Sequence, residues 1–295
     1  YQINQYNEVN IMGTSNLFQA ISSTGTKIEK FILSSSRSVY GEGKYVCPTH
    51  GIVYPEARKA EDMKIGDFSM HCPFCKRTVQ LVPTDENSKI VPNSLYAFTK
   101  YAQENMTETM CRAMQIKYTI FRLQNVYGIG QSLKNPYTGI LSIFSTLLLE
   151  NKRVNIFEDG MESRDFINVK DIAMAFVKSL NGPQTDDEIL NLGSGIGTSV
   201  IEIAKTLKEL YKSQSEICIT GDFRIGDIAH NVADTSKAKK LLGFRPAISL
   251  DDGLRGFCDW VRGQESDNSA YETSLEEMEQ AGMFVRQMIK RIGEY

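Results

Sequence analysis

Short, mostly apolar segments that read as strands alternate along this chain with longer segments of helical period. The short segments have the length of strands buried on both faces and lie at 31–33, 118–123, 154–157, 189–192 and 217–220. Helices are predicted at 5–22, 94–114, 140–150, 170–180, 199–211, 235–242 and 251–262. Strands that alternate with helices of this length predict an α/β fold with a mostly parallel, doubly wound sheet.

Two segments depart from this alternation. Residues 42–88 are rich in Gly, Pro, Cys and charged residues and show no sustained period, which predicts an insertion. After Gly263 the chain is polar and then regains apolar positions, which predict an amphipathic helix as a C-terminal appendage over 263–295. The apolar positions of that helix are Leu275, Met278, Phe284, Val285 and Met288.

Composition and charge narrow the classes of partner. The 295 residues carry a net charge of −3, which argues against nucleic acid or an anionic membrane as the main partner. Any phosphate group must therefore meet a few placed Arg or Lys residues. No apolar run approaches the roughly 20 residues that span a bilayer, and the polar start at Tyr1 is unlike a secretory signal. Six cysteines in a chain of this length favour a reducing cytoplasm and a metal over a disulfide framework.

The insertion holds two short metal-binding patterns. Cys47-Pro-Thr-His50 and Cys72-Pro-Phe-Cys75 together offer three thiolates and one imidazole. Two-residue gaps allow each pair to grip one ion, so the pattern predicts a structural zinc site. His71 is a competitor for His50, but its place beside Cys72 gives poorer geometry. The cysteines at 111, 218 and 258 lie in predicted core elements and are not expected to bind.

A tyrosine and a lysine four residues apart begin the helix predicted from 94. Tyr96 and Lys100 share one helix face. An ammonium beside a phenol favours the phenolate, so the pair predicts a base for a sugar hydroxyl with a lowered pKa. Tyr40 and Lys44 have the same spacing, but the glycines between them disfavour a helix. The first pair is therefore the candidate.

The surrounding motifs resemble the extended short-chain dehydrogenase/reductases, in the branch of NAD-dependent nucleotide-sugar epimerases and dehydratases. The resemblance runs to about residue 264 and is carried by SSSRSVYG, YAFTK, NVYG, RDFINVKDIA and RIGDIAHNVADTSKAKKLLGFRP. It implies a Rossmann-like fold whose N-terminal βαβ portion, with the glycine-rich fingerprint, precedes this chain. Residues 1–127 would complete the NAD-binding domain, with the insertion at 42–88. Residues 128–262 would form a smaller substrate-binding region interleaved with the last Rossmann elements.

The resemblance also implies roles for individual residues. Ser36, Tyr96 and Lys100 match the catalytic serine, tyrosine and lysine, which also touch the cofactor, and Asn10 and Gln124 match further NAD contacts. Asn125, Arg164, Arg224 and Asp227 match residues that hold the nucleotide diphosphate and its ribose. His230 is interpreted as a structural histidine. The GSGIG stretch at 193–197 is interpreted as a tight turn and not as a phosphate loop. A homodimer, formed by the helices at 5–22 and 94–114, is implied as well.

The reaction implied is epimerisation. Relatives that eliminate water or carbon dioxide carry a carboxylate in the segment that corresponds to residues 36–41, and here there is none. The cysteine-bearing insertion and FEDGMESRDF are similar to dTDP-L-rhamnose 4-epimerases. UDP-glucose or UDP-N-acetylglucosamine 4-epimerase is the alternative within this class, and a non-catalytic, zinc-stabilised member of the fold is the alternative outside it. Arg37 departs from the small residue usual beside the catalytic serine.

Overall fold

The computed structural model describes residues 3–133, 139–264 and 269–287. The predicted alternation of strands and helices is confirmed over these ranges. The α-helices are α1 (Ile3–Tyr6), α2 (Gly13–Thr24), α3 (Ala60–Lys64), α4 (Leu95–Met114), α5 (Ile140–Leu149), α6 (Val169–Leu180), α7 (Val200–Tyr211), α8 (Ser236–Leu242), α9 (Leu250–Val261) and α10 (Ser269–Gln280). The strands are β1 (Lys30–Ser36), β2 (Tyr45–Cys47), β3 (Gly51–Val53), β4 (Gln80–Leu81), β5 (Lys117–Leu123), β6 (Asn125–Tyr127), β7 (Val154–Ile156), β8 (Ser163–Asn168), β9 (Glu188–Leu192), β10 (Gly197–Ser199), β11 (Ile217–Ile219), β12 (Phe223–Arg224), β13 (His230–Asn231) and β14 (Phe284–Val285).

A parallel sheet in the order β1-β5-β9 forms the centre of the fold. Neighbouring residues of β5 point to opposite faces, so Ile120 packs in one apolar cluster with Phe18 of α2, whereas Phe121 packs in another with Ile172 of α6. Both faces of the sheet are thus covered by helices, as parallel sheets require. The predicted doubly wound, Rossmann-like α/β class is confirmed.

The predicted helix at 5–22 contains a wider turn. Asn7–Met12 is π-helical and joins α1 to α2 without a break. Helix α4 begins, as predicted, at the cap Ser94, whose Oγ accepts a hydrogen bond from Ala97 N at 3.1 Å. Because α4 packs on β1, its first turns lie beside the carboxyl end of that strand.

The insertion forms a small antiparallel sheet in the order β3-β2-β4. A second sheet, β10-β8-β13 with β6 paired to β8, belongs to the region after residue 124. That region has an apolar cluster of its own, which includes Phe144 of α5 and Phe257 of α9. In the described ranges, no helix is both long and apolar enough to cross a membrane.

The C-terminal segment differs from the predicted single helix. Helix α10 ends at Gln280, and Gly282 follows with φ of 70°, a left-handed conformation that stops the helix. Phe284 and Val285 then form β14, which pairs antiparallel with β12. The helical prediction was therefore wrong for these two residues, because strand pairing with β12 outweighs the weak local period. Met288 lies outside the described residues.

Candidate active site

Ser36, Tyr96 and Lys100 meet at the carboxyl end of β1. Ser36 is the last residue of the strand and caps a 3₁₀ turn, its Oγ accepting from Ser38 N at 3.2 Å. Lys100 donates from Nζ to the carbonyl of Ser34 at 3.0 Å, and its Nζ lies 5.9 Å from the centre of the Tyr96 ring. Tyr96 is 37% exposed, so a ligand can reach it. The structure thus brings the three predicted residues together.

The electrostatics of Tyr96 differ from the expectation. Burial raises its pKa above the usual value, and a hydrogen bond with Ser36 and the charge of Arg37 oppose that shift. Burial lowers the pKa of Lys100, while Glu104 opposes. The predicted lowering of the tyrosine pKa by the lysine was therefore wrong for this structure, because desolvation dominates. Ser36 and Arg37, and not Lys100, are the groups that favour the phenolate form of Tyr96.

The two further residues implied for NAD contact lie on either side of this group. Asn10 sits in the π-helical turn and donates from Nδ2 to Thr99 Oγ1 at 3.0 Å, so it faces the start of α4. Gln124, just after β5, is buried and donates from Nε2 to Asn231 Oδ1 at 3.3 Å. No described residue donates to its Oε1, which leaves a buried acceptor for a ligand amide.

Three of the four residues implied for the diphosphate share one neighbourhood. Asn125 accepts at Oδ1 from Arg37 Nε at 2.9 Å, and the pKa of Arg37 responds to the charges of both Arg164 and Asp227. Arg164 donates from Nη1 to the carbonyl of Ala229 at 2.9 Å. The fourth, Arg224, lies in β12 with its guanidinium 5.3 Å from the centre of the Phe157 ring. Its Nε is buried and has no described hydrogen-bond partner.

The surroundings of His230 and of the GSGIG stretch agree with the structural roles predicted for both. Ser163 N lies 3.2 Å from His230 Nδ1, and burial lowers the pKa of this histidine to about 4, so it is neutral at neutral pH. In the turn after β9, the amides of Ser194 and Gly195 donate to the Asp165 carboxylate at 2.6 Å and 3.0 Å. These amides are therefore taken by a side chain and do not form a phosphate cradle.

Tyr40, the competing tyrosine, is part of the core. Its side chain is 1% exposed, and its hydroxyl donates to Asn191 Oδ1 at 2.7 Å and accepts from Arg122 Nη1 at 2.9 Å. Arg122 also forms a buried ion pair with Glu104 of α4 at 2.8 Å. Lys44 points elsewhere and pairs with Asp85. The preference for Tyr96 over Tyr40 is thus in accord with the packing.

The insertion gathers the four predicted metal ligands. Cys47 Sγ lies 3.6 Å from His50 Nδ1 and 3.7 Å from Cys75 Sγ, and Cys72 Sγ lies 3.5 Å from the same His50 nitrogen. All four ligand atoms are within 4.8 Å of one another. A tetrahedral zinc site requires edges of about 3.8 Å between sulfurs and about 3.6 Å between sulfur and nitrogen. These distances fit a metal and are far longer than a disulfide bond.

The surroundings of the cluster agree with that geometry. Burial raises the pKa of the Cys47 thiol, but hydrogen bonds from His50 and the turn amides outweigh burial and bring the pKa to about 6. The rival His71 is turned away, with its Nε2 3.4 Å from Asp67. Cys218, expected in a core element, is partly exposed and contacts Arg153.

A buried ion pair that sequence reasoning missed joins the insertion to the region that follows β7. The two terminal nitrogens of Arg58, Nη1 and Nη2, donate to the Glu158 carboxylate, Nη2 at 2.9 Å. The side chains of Arg58 and Glu158 are 4% and 2% exposed. Arg58 also donates to the carbonyl of Asp227 at 3.0 Å. Glu158 has φ of 50°, a left-handed conformation rare outside glycine. This backbone conformation is the local feature that sets Glu158 apart, and the sequence does not reveal it.

Comparisons with known proteins agree with the geometry. Residues 69–193 match the model of the NAD dependent epimerase/dehydratase family. A dTDP-L-rhamnose 4-epimerase of Burkholderia thailandensis is 36% identical over 88% of this chain and 69% of its own length. The structure of UDP-glucose 4-epimerase from Thermotoga maritima with UDP-glucose is 30% identical, with a TM-score of 0.70, and the match covers 88% of this chain and 72% of that one.

A further solved structure includes the cofactor. It is UDP-glucuronic acid 4-epimerase of Bacillus cereus in complex with UDP-glucuronic acid and NAD. The match is 25% identical, with a TM-score of 0.66, and covers 86% of this chain and 67% of that one. The relatives thus share the fold and the nucleotide-sugar class of ligand, and they differ in the sugar.

Proposed function

Because this chain belongs to the NAD-dependent epimerase/dehydratase family, we propose that it inverts C4 of a nucleotide sugar through a transient 4-keto sugar. The observation that carries the proposal is the meeting of Ser36, Tyr96 and Lys100 at the carboxyl end of β1. Open α/β sheets bind their ligands at this end. The unpaired acceptor of Gln124 lies at the end of the neighbouring strand β5 and fits a nicotinamide amide.

The side chains divide the proton chemistry among them. Tyr96 takes the proton of the C4 hydroxyl and returns it, and the Ser36 hydroxyl holds both the phenol and the sugar oxygen in place. Bound NAD supplies the acceptor and later the donor of the hydride at C4. Lys100, Asn10 and Gln124 are the residues that would hold the nicotinamide half of NAD. Return of that hydride to the opposite face of the 4-keto sugar would give the epimer.

An elimination reaction fits the site less well. The segment from Ser36 to Gly41 has no carboxylate, and the nearest one in sequence, Glu42, is buried. Its Oε2 accepts from Ala229 N at 2.9 Å, so it is directed toward the β8–β13 side and away from Tyr96. We therefore place the chain with the epimerases of the family.

We propose dTDP-L-rhamnose as the substrate, with dTDP-6-deoxy-L-talose as the product, on the strength of the 36% identity. Asn125, Arg164, Arg224 and Asp227 would hold the nucleotide diphosphate. The test is a turnover screen with purified protein, NAD and a panel of dTDP- and UDP-sugars, followed by NMR of the C4 proton. Faster conversion of UDP-glucose would favour the alternative substrate, and no conversion of any sugar would contradict the proposed activity.

We propose that the Cys47, His50, Cys72 and Cys75 cluster holds one structural zinc ion. Four protein ligands leave no open position for a substrate, so the metal would act by stabilising the insertion. Free cysteines and a thiolate metal site fit a reducing, cytoplasmic location. Elemental analysis of protein purified without chelator should find about one zinc ion per chain. A value near zero would contradict the assignment.

We also propose a homodimer through the first helices and α4. Val9 is 65% exposed, Leu17 is 56% exposed, and Phe98 of α4 is 55% exposed, although all three are apolar. The segments that carry them pack against one another, so they present a shared surface. Apolar side chains at this density on adjoining helices are typical of an interface.

A further inference from the structure

Arg37 follows the catalytic serine directly and is only partly satisfied by the protein. Its Nε donates to Asn125 Oδ1 at 2.9 Å. Its Nη1 is buried, and no described residue accepts a hydrogen bond from it. A buried donor without an acceptor costs free energy, more so when it is charged. The side chain is therefore kept at a cost to stability.

Two other buried arginines of this chain are each paired with a carboxylate. Arg122 uses Nε and Nη2 on the Glu104 carboxylate and Nη1 on Tyr40 and the Glu86 carbonyl. Arg58 binds the Glu158 carboxylate through Nη1 and Nη2, although its own Nε has no described partner. Arg37 is the exception among the three, because no carboxylate of the described residues is hydrogen-bonded to it.

The charges around Arg37 favour an anion. Burial lowers its pKa to about 10, and the positive charge of Arg164 adds to that effect, while Asp227, Asp165 and Glu42 oppose it. The Asp165 carboxylate is occupied by backbone amides after β9, and Glu42 accepts from Ala229 N. The guanidinium groups of Arg37 and Arg164 thus lie in one neighbourhood. The acids there either bind backbone amides, as Asp165 and Glu42 do, or are not hydrogen-bonded to Arg37 in the described residues.

The position of Arg37 indicates what the anion belongs to. On one side Arg37 directly follows Ser36, which is hydrogen-bonded to Tyr96. On the other side it binds Asn125 of β6, which pairs with β8, the strand that carries Arg164. If the function proposed above holds, Tyr96 marks the position of the reacting C4 and Arg164 marks the position of the diphosphate. The sugar ring and the phosphate attached to it would then lie between these two residues.

Resting on that function, we propose that Arg37 binds an anionic oxygen of the nucleotide-sugar substrate and so sets its specificity. The oxygen comes either from the sugar-bearing phosphate or from a carboxylate on the sugar ring. The planar fork of the guanidinium suits both groups. Both sources have the same chemistry, and ligands that differ in one group separate them.

Calorimetric titration measures this without turnover. The proteins are wild type, Arg37→Ala, Arg37→Lys and, as a matched control, Arg255→Ala on the exposed face of α9. The ligands are dTDP, dTDP-L-rhamnose, UDP-glucose and UDP-glucuronate. Loss of a charge-assisted hydrogen bond should weaken binding by about 10- to 100-fold. The control should bind as wild type does.

The pattern of loss identifies the source of the oxygen. Arg37→Ala that weakens all four ligands, dTDP included, assigns the phosphate, and Arg37→Lys should then recover part of the affinity. Loss confined to UDP-glucuronate, with UDP-glucose unaffected, assigns a ring carboxylate. Changes below about twofold for every ligand would overturn the proposal.

Thermal unfolding of the same variants separates binding from folding. Because Arg37 is incompletely paired, Arg37→Ala should melt at or above the wild-type temperature. A markedly lower melting temperature that accompanies the loss of affinity would assign a structural role and overturn the proposal. Wild-type protein that binds these ligands but turns none over would contradict the proposed epimerase activity and leave the Arg37 comparison intact.

Discussion

Tyr96→Phe and Tyr40→Phe remove the same atom from two tyrosines that each precede a lysine by four residues. The structure gives the two oxygens opposite surroundings. The Tyr96 hydroxyl lies in an accessible site beside Ser36. The Tyr40 hydroxyl is buried between Asn191 and Arg122. We therefore expect the first variant to lose activity and the second to lose stability.

The magnitude for Tyr40→Phe follows from its two hydrogen bonds. The bond from Arg122 is charged and contributes about 1.5–3 kcal/mol, and the bond to Asn191 is neutral and contributes about 1 kcal/mol. Arg122 keeps its bond to the Glu86 carbonyl, at 3.1 Å, so the lower end applies. We expect a loss of about 2.5 kcal/mol in the free energy of unfolding. In a chain of this size that lowers the melting temperature by roughly 4 °C.

The expectation for Tyr96→Phe is the reverse. Among the described residues, Ser36 is the hydrogen-bond partner identified for its hydroxyl, so the free energy of unfolding should change by less than about 0.5 kcal/mol. Removal of the group that transfers the proton should lower kcat by about 100-fold or more.

Two measurements on each variant test the pair of expectations. Melting is followed by circular dichroism, and initial rates are measured with saturating sugar nucleotide and excess NAD, well below both melting temperatures. Equal losses of kcat in two folded variants would refute the choice of Tyr96. An unchanged melting temperature in Tyr40→Phe would refute the calculation from its hydrogen bonds.

Three further expectations concern the metal, the pH and the assembly. Cys72→Ser should lose zinc and melt several degrees lower, whereas Cys218→Ser, outside the cluster, should match wild type; unchanged zinc content and stability in Cys72→Ser would contradict the metal site. Burial raises the pKa of Glu42 from its ordinary 4.5 to about 7, so this group's contribution to stability is present at low pH and is lost as the pH rises through that window. Glu42→Gln should therefore flatten the melting-temperature profile between about pH 5 and pH 8, and parallel wild-type and variant profiles would speak against it. Light scattering should give twice the chain mass of 33.2 kDa, and a monomer for wild type and Leu17→Asp alike would contradict the interface.

The elements with strong local signals were predictable from sequence. Helix α4 has its cap at Ser94, and most residues of β5 are apolar or β-branched, so both were placed within a residue or two. The clustering of the four Cys and His side chains was predictable because Cys47 and Cys72 each begin a short chelating pattern. Family resemblance supplied the rest of the candidate site, and its individual assignments stay predictions.

Features that depend on distant parts of the chain were not predictable. The strand at Phe284 exists because β12 is there to pair with it, and its own period is weak. The pKa of Tyr96 depends on how deeply the fold buries it, which no spacing reveals. The pairing of Arg58 with Glu158 joins residues 100 positions apart, and nothing in either local sequence announces it.

That ion pair links the insertion to the segment proposed to hold the nucleotide. Arg58 binds Glu158 and the Asp227 carbonyl at once, so a change in the order of the insertion acts on the loop proposed to hold the nucleoside ribose. Thermodynamic linkage is reciprocal. If zinc tightens the binding of a sugar nucleotide by some factor, the sugar nucleotide must tighten the binding of zinc by the same factor. Under that condition, the zinc affinity of this protein would rise when its substrate is abundant.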